Sequence, residues 1–115
     1  MTYKTISFTP KGEIADAIYD FCRTKAVAPD GKQYGWIDTN PQDLVRMSLE
    51  WANIVPKVQP CGGDKSCWEP GLAIKTSFWQ ENAMAVTDFA KEQGMSKQDV
   101  IQESVMDFIK DHPTL

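Results

Sequence analysis

Two cysteines and one histidine are the side chains of this 115-residue chain best suited to metal binding or redox chemistry. Cys61 and Cys67 flank the segment GGDKS, and His112 lies close to the C-terminus. Zinc needs four ligands, and we expect the third cysteine, Cys22, to lie on a helix in the core. Three interpretations stay open for the pair: two zinc ligands, a disulfide that closes a small loop, or two reduced thiols in a linker. We favour the last, because three cysteines cannot all pair within one chain.

Other polar clusters lack the spacing that their chemistry would require. Asp30-Gly31, Asp38 and Asn40 do not have the ligand spacing of a calcium-binding EF-hand, and they indicate an acidic turn instead. The segment 62–66 has no Walker spacing and does not open a helix, so we do not expect it to cradle a phosphate. No residues form a plausible set of nucleophile, base and acid. We therefore predict that the chain is not an enzyme and uses no metal and no cofactor.

The composition indicates one small globular domain. Hydrophobic residues make up 42% of the chain, which is a globular rather than a disordered content. No apolar run approaches the roughly 20 residues of a membrane span, and the N-terminal MTYKTISFTPKG has no signal-peptide core. We expect a soluble, cytoplasmic protein that does not contact a membrane.

The net charge of −4 arises entirely in the second half of the chain. Residues 1–60 carry seven Lys and Arg against seven Asp and Glu, whereas residues 61–115 carry five Lys against nine acidic residues. A net negative charge is unusual for a nucleic-acid-binding protein, because contacts with phosphates need clustered Lys and Arg.

The secondary-structure elements predicted for the first half of the chain follow the order strand, helix, helix. KTISFT (4–9) alternates polar and apolar residues with a period of two, which predicts a half-buried strand. Apolar residues at helical spacing predict a helix over 13–24 and another from Pro41 to about Val55, with Asn40 as its cap. The loop 26–41 separates the two helices.

The same order returns after a linker rich in proline and glycine, residues 55–71. AIKTSFW (73–79) is a second alternating strand, and residues 81–93 form a helix that Gly94 ends. Ser96 caps a last helix that ends near Pro113.

Matching sequence anchors indicate that this unit is duplicated. Three anchors in the same order are more than chance supplies, and the first copy differs by about twelve extra residues in its inter-helix loop. One strand and two short helices cannot bury their apolar faces alone, whereas two copies can. The anchors are Ser7-Phe8 with Ser77-Phe78, Asp20-Phe21 with Asp88-Phe89, and Gln42-Asp43 with Gln98-Asp99.

The second copy resembles the ribbon-helix-helix family of DNA-binding proteins, the Arc and methionine-repressor type. FAKEQGMS (89–96) matches the family's close of the first helix, a Gly turn and a Ser that opens the second helix. The resemblance implies a mainly α fold in which a two-stranded antiparallel β-ribbon lies over a four-helix core. It further implies a single-chain pseudo-dimer, with units at 1–54 and 72–115 joined by 55–71.

Carried over by position, the resemblance implies a transcriptional regulator that inserts the ribbon into the major groove of double-stranded DNA. The start of each second helix would bind a phosphate through its free N–H groups. The implied base contacts are Thr5, Ser7, Thr9, Ala73, Lys75 and Ser77. The implied phosphate contacts are Asn40 and Gln42 in the first copy and Ser96, Lys97 and Gln98 in the second.

A second hypothesis keeps the scaffold but changes the partner. The acidic second half and three aromatic residues outside the periodic segments suit a protein partner, as in an antitoxin-like or phage-encoded inhibitor. These aromatic residues could equally fold back and seal the small core. They are Tyr34, Trp36 and Trp68. The sequence leaves open whether pseudo-dimers pair further.

Overall fold

A computed structural model describes residues 3–23, 41–57 and 70–111 of the chain. Within these ranges the protein is mainly helical with one small two-stranded antiparallel sheet, as the sequence predicts. The elements in chain order are β1 (Tyr3–Phe8), α1 (Glu13–Arg23), α2 (Pro41–Trp51), β2 (Ile74–Trp79), α3 (Gln80–Gln93) and α4 (Lys97–Asp111).

The two strands form an antiparallel ribbon whose sides differ in exposure. Ile6 pairs with Thr76 at its middle, and Phe8 pairs with Ile74. These four side chains are buried, whereas the residues that alternate with them are exposed. Successive side chains of a strand point to opposite faces, so the period of two in the sequence places one face on the core.

The buried face of the ribbon packs into a continuous apolar cluster with residues of all four described helices. Phe108 of α4 stacks edge-to-face on Phe21 of α1 and on Trp51 of α2, with 6.0 Å between ring centroids in each pair. Cys22 lies in the cluster, which confirms its predicted core position. The best-buried members are Phe8, Ile18, Leu44, Val45, Leu49, Ile74, Phe78, Val86, Ile101 and Val105.

Residues in the left-handed conformation end α2 and α3. Gly94 has φ 66°, and the N–H of the next residue, Met95, donates to Ala90 O at 2.9 Å. Asn53 has φ 58°, and the N–H of Ile54 donates to Leu49 O at 3.0 Å in the same pattern. Our prediction that α2 continues to about Val55 is therefore wrong, because Asn53 turns the chain out of the helix. Among the described residues, none of the helices combines the length and apolar character that a membrane span requires.

Candidate functional site

The outer face of the ribbon brings together four of the six predicted base-contact residues. Thr5 lies opposite Ser77, and Ser7 lies opposite Lys75. All four side chains are exposed, because the apolar residues between them occupy the core face. We call these four residues the outer ribbon face. Hydroxyl groups and one ammonium group there can donate hydrogen bonds to acceptors in a partner.

The other two predicted base-contact residues lie just beyond the paired strands. β1 ends at Phe8 and β2 begins at Ile74, so Thr9 and Ala73 extend from the same end of the ribbon. Ala73 is exposed, whereas Thr9 is half-buried. Neither side chain is part of the outer ribbon face.

The backbone of Thr9 is held by the side-chain amide of Gln98 from α4. Gln98 Nε2 donates to Thr9 O at 2.8 Å, and Thr9 N donates to Gln98 Oε1 at 3.2 Å. This pair of bonds connects the first turn of α4 to the end of β1. The amide of Gln98, predicted as a phosphate contact, therefore binds the protein's own backbone.

The start of α4 otherwise keeps the features of an anion-binding helix terminus. Ser96 caps the helix as predicted, because its Oγ accepts the backbone N–H of Asp99 at 3.1 Å. Lys97 is exposed, and the N–H groups of Lys97 and Gln98 have no intrahelical acceptor at these positions. A phosphate at this terminus would meet these N–H groups, the ammonium of Lys97 and the positive end of the helix dipole.

The start of α2, the predicted counterpart, is arranged differently. Gln42 is half-buried, and its Oε1 is shielded from solvent without a hydrogen-bond partner. The backbone N–H of Gln42, in the first turn of α2, and its side-chain amide nitrogen are the groups that could donate to a phosphate here. Asn40, the other predicted phosphate contact here, lies outside the described residues.

A buried ion pair supports the ribbon from below, and our reading of the sequence missed it. Arg46 Nη1 donates to Asp43 Oδ1 at 2.7 Å within α2. The same guanidinium donates to the backbone oxygen of Ser77 through Nε at 3.3 Å and Nη2 at 3.1 Å. The spacing of three residues between Asp43 and Arg46 was the available signal, since such residues are neighbours on a helix. Arg46 thus positions the β2 strand while the Ser77 hydroxyl faces outward.

Burial also determines the chemistry of Cys22. Desolvation, followed by the nearby negative charge of Asp43, raises the pKa of the Cys22 thiol from 9.0 to about 12. A thiol with this pKa is protonated at neutral pH and is a poor nucleophile or metal ligand.

Within the described residues, the ribbon carries only positive charges, whereas the helices carry charges of both signs. The two strands contain Lys4 and Lys75 and no acidic residue. Ion pairs within the described residues join Arg46 to Asp43 and Lys57 to Glu81, so neither strand lysine is neutralised in this way. The exposed carboxylates that the structure describes in the second half of the chain lie on α3 and α4.

Several candidates from the sequence fall outside the described residues. They are Tyr34, Trp36, Asn40, Cys61, Cys67, Trp68 and His112. Within the described residues, no group of three or more His, Cys, Asp and Glu side chains could hold a metal ion. No protein-family model matches the chain, and neither a curated protein nor a solved structure matches it.

Proposed function

We propose that this protein is a DNA-binding transcriptional regulator, a single-chain equivalent of a ribbon-helix-helix dimer. The observation that carries the proposal is the register of its ribbon. The anchors Ser7-Phe8 and Ser77-Phe78 are 70 positions apart, which makes Ile6 and Thr76 equivalent positions of the two copies. Ile6 and Thr76 also pair with each other across the strands. A ribbon with two-fold symmetry needs one such pair of equivalent residues at its centre, so the register supports a pseudo-dimer.

The outer ribbon face supports a nucleic-acid partner. A two-stranded ribbon fits the major groove of B-form DNA, and side chains on its outward face then meet the edges of the bases. Ser and Thr hydroxyls can bond either donors or acceptors on these edges, and Lys75 can donate to guanine. No carboxylate lies on this face to repel the phosphates. Gln98 in the first turn of α4 binds the backbone of Thr9, the residue after β1, so the start of α4 lies near one end of the ribbon.

The test is DNA binding at low salt, where electrostatic association is strongest. A labelled random-sequence duplex is titrated with the protein, and fluorescence anisotropy is followed at several salt concentrations. We expect binding that weakens with salt, and a Lys75→Ala variant whose salt slope is lower by about 1. Lys110→Ala, which removes an exposed lysine in the last turn of α4, is the matched control. No binding at low salt, or equal effects of both substitutions, would refute the proposal.

A protein partner is the second candidate, and the surface of α4 is the observation that favours it. Four exposed carboxylates follow one another at intervals of four residues, so they lie along one side of the helix. Each adjacent like-charge pair costs the helix roughly 0.2–0.5 kcal/mol, which a basic partner would offset. These residues are Asp99, Glu103, Asp107 and Asp111.

This candidate is tested by isolating a stable complex and then changing either surface. Glu103→Gln together with Asp107→Gln should disrupt a complex formed on α4. Trp36→Ala and Trp68→Ala should disrupt a complex that depends on the aromatic residues outside the periodic segments. A complex that survives both sets of substitutions uses neither surface.

A further inference from the structure

A groove of about 350 Å³ lies between β1 and α3 and reaches the start of α4. This volume is at the small end of the range for ligand sites in proteins, roughly 300–1,000 Å³. β1 contributes Lys4 and Ile6, α3 contributes Met84 and Lys91, and α4 contributes Lys97. Three separate elements therefore bring their side chains to one concave surface.

The floor of the groove is apolar and includes a large exposed side chain. Ile6 and Ala83 are buried beneath it, with 7% and 4% of their surfaces exposed. Met84 beside them is 53% exposed, although it belongs to a helix that otherwise turns apolar residues toward the core. A flexible thioether on an open apolar surface can adapt to the carbon skeleton of a ligand.

The rim of the groove is cationic. Lys4, Lys91 and Lys97 are all exposed, and none of them forms an ion pair with a described residue within 4.0 Å. One carboxylate, Asp88, also lies on the rim, which leaves an excess of two positive charges. Such an arrangement attracts an anion, and Asp88 limits how much negative charge the ligand can carry.

We propose that this groove binds a small amphipathic carboxylate, a molecule with one negative charge and an aliphatic or aromatic body. The carboxylate would lie among the three ammonium groups, and its apolar body would cover Met84 and the floor. A phosphodiester backbone would leave Met84 without an apolar contact, and a neutral apolar molecule would leave the lysines unused. The groove shares Thr5 with the outer ribbon face and Lys97 with the start of α4, but the proposal does not require DNA binding.

Octanoate is the probe, with octanol, inorganic phosphate and acetate as comparison ligands. Calorimetry measures the affinity of the full chain, and backbone amide NMR shifts locate the site. We expect octanoate to bind more tightly than each comparison ligand and to shift the amides near Lys4, Met84 and Lys91. Equal binding of octanol would show that the lysines contribute nothing, and equal binding of phosphate would show the same for the floor. Either result would overturn the proposal.

Substitutions then test the cationic rim and the apolar floor of the groove separately. Lys91→Gln with Lys97→Gln should weaken octanoate binding by at least about tenfold, and Met84→Ser should weaken it as well. Lys110→Gln and Leu72→Ser change residues of similar exposure that do not line the groove, so they should leave the affinity unchanged. Equal losses in the control variants would refute the site. Because no step involves DNA, failure here leaves the DNA-binding proposal intact, and the reverse holds too.

Discussion

The side-chain amide of Gln98 forms two hydrogen bonds with the backbone of Thr9, which lies 89 residues earlier in the sequence. The same amide geometry recurs elsewhere in the fold. Asn82 Nδ2 donates to Lys57 O at 3.0 Å, and Lys57 N donates to Asn82 Oδ1 at 3.2 Å. The Gln98 amide binds the residue that follows β1, and the Asn82 amide binds Lys57, which follows α2. Side chains on the first turns of α4 and α3 thus position segments that have no regular structure.

The Gln98 amide predicts an acid-dependent effect of Gln98→Glu. The introduced carboxylate could still accept from Thr9 N, but its second oxygen would face the Thr9 carbonyl in place of a donor. We expect the free energy of unfolding to fall by about 1–3 kcal/mol at neutral pH. The introduced carboxylate is disfavoured in the folded chain, so its pKa there lies above the ordinary glutamate pKa of about 4.3. Protonation restores a donor, so the deficit should shrink as the pH falls through this raised pKa toward about 4.3 and should change no further below it. Urea unfolding between pH 3 and 7, roughly the range over which a glutamate titrates, measures the effect.

Gln80→Glu is the matched control for this experiment, because Gln80 is exposed in the first turn of α3 and the substitution adds the same charge at a helix N-terminus. A similar loss of stability in both variants would mean that charge, rather than the grip on Thr9, is responsible.

The Asp43–Arg46 ion pair predicts strong coupling between its two residues. Arg46→Met removes the guanidinium from a buried carboxylate and from the Ser77 carbonyl, and we expect a loss of about 3–5 kcal/mol. Asp43→Asn with Arg46→Met removes both charges and should recover part of this loss. A double-mutant cycle from urea unfolding gives the coupling energy. Additive effects of the two substitutions would contradict a direct interaction.

The hydroxyl of Thr76 predicts a stabilising substitution. Thr76 is 1% exposed, and its Oγ1 is buried without a hydrogen-bond partner. Thr76→Val keeps the shape of the side chain and removes the unsatisfied group, so we expect a gain of about 1 kcal/mol. Thermal and urea unfolding measure the change.

Thr5→Val is the control for Thr76→Val, since Thr5 lies in the same ribbon but on its exposed face. That substitution should alter stability by less than about 0.5 kcal/mol. If Thr76→Val destabilises the protein, the hydroxyl has a role that its surroundings do not reveal.

The raised pKa of Cys22 predicts an inert thiol and a loss of stability at alkaline pH. Below pH 9.0 the thiol is protonated in both the folded and the unfolded chain, so it adds no pH dependence. Between pH 9.0 and about 12 the unfolded chain releases the proton while the folded chain retains it. The free energy of unfolding therefore falls as pH rises, by up to about 1.4 kcal/mol per pH unit.

This prediction is measured in a Cys61→Ser, Cys67→Ser background, where Cys22 is the one remaining thiol. The difference in stability between this protein and its Cys22→Ala derivative should change with pH in the alkaline range and stay constant below pH 9.0. Alkylation of Cys22 at mildly alkaline pH should be slow until denaturant is added. Rapid alkylation of the folded protein would contradict its burial.

Local sequence predicts the type and order of the described elements, although not every boundary. The alternation in KTISFT (4–9) and AIKTSFW (73–79) predicts both strands to within one residue and the face that each buries, since the period of a strand is two. Ser96 and Gly94 mark the boundary between α3 and α4 because a cap and a left-handed turn need these residue types. Asn53 also favours such a turn, but asparagine does so less strongly than glycine, and we placed the end of α2 too late.

The tertiary structure determines how these elements pack and which backbone groups their side chains bind. The sequence pattern shows that Thr5, Ser7, Lys75 and Ser77 face outward, but only the register determines that Thr5 lies opposite Ser77. Gln98 binds the backbone of Thr9, and Arg46 binds the backbone of Ser77. Every residue has a backbone carbonyl, so nothing in the sequence identifies which one a distant side chain will reach. The groove between β1 and α3 also depends on tertiary structure. Its lysines belong to three elements, and they line one groove only because these elements pack together.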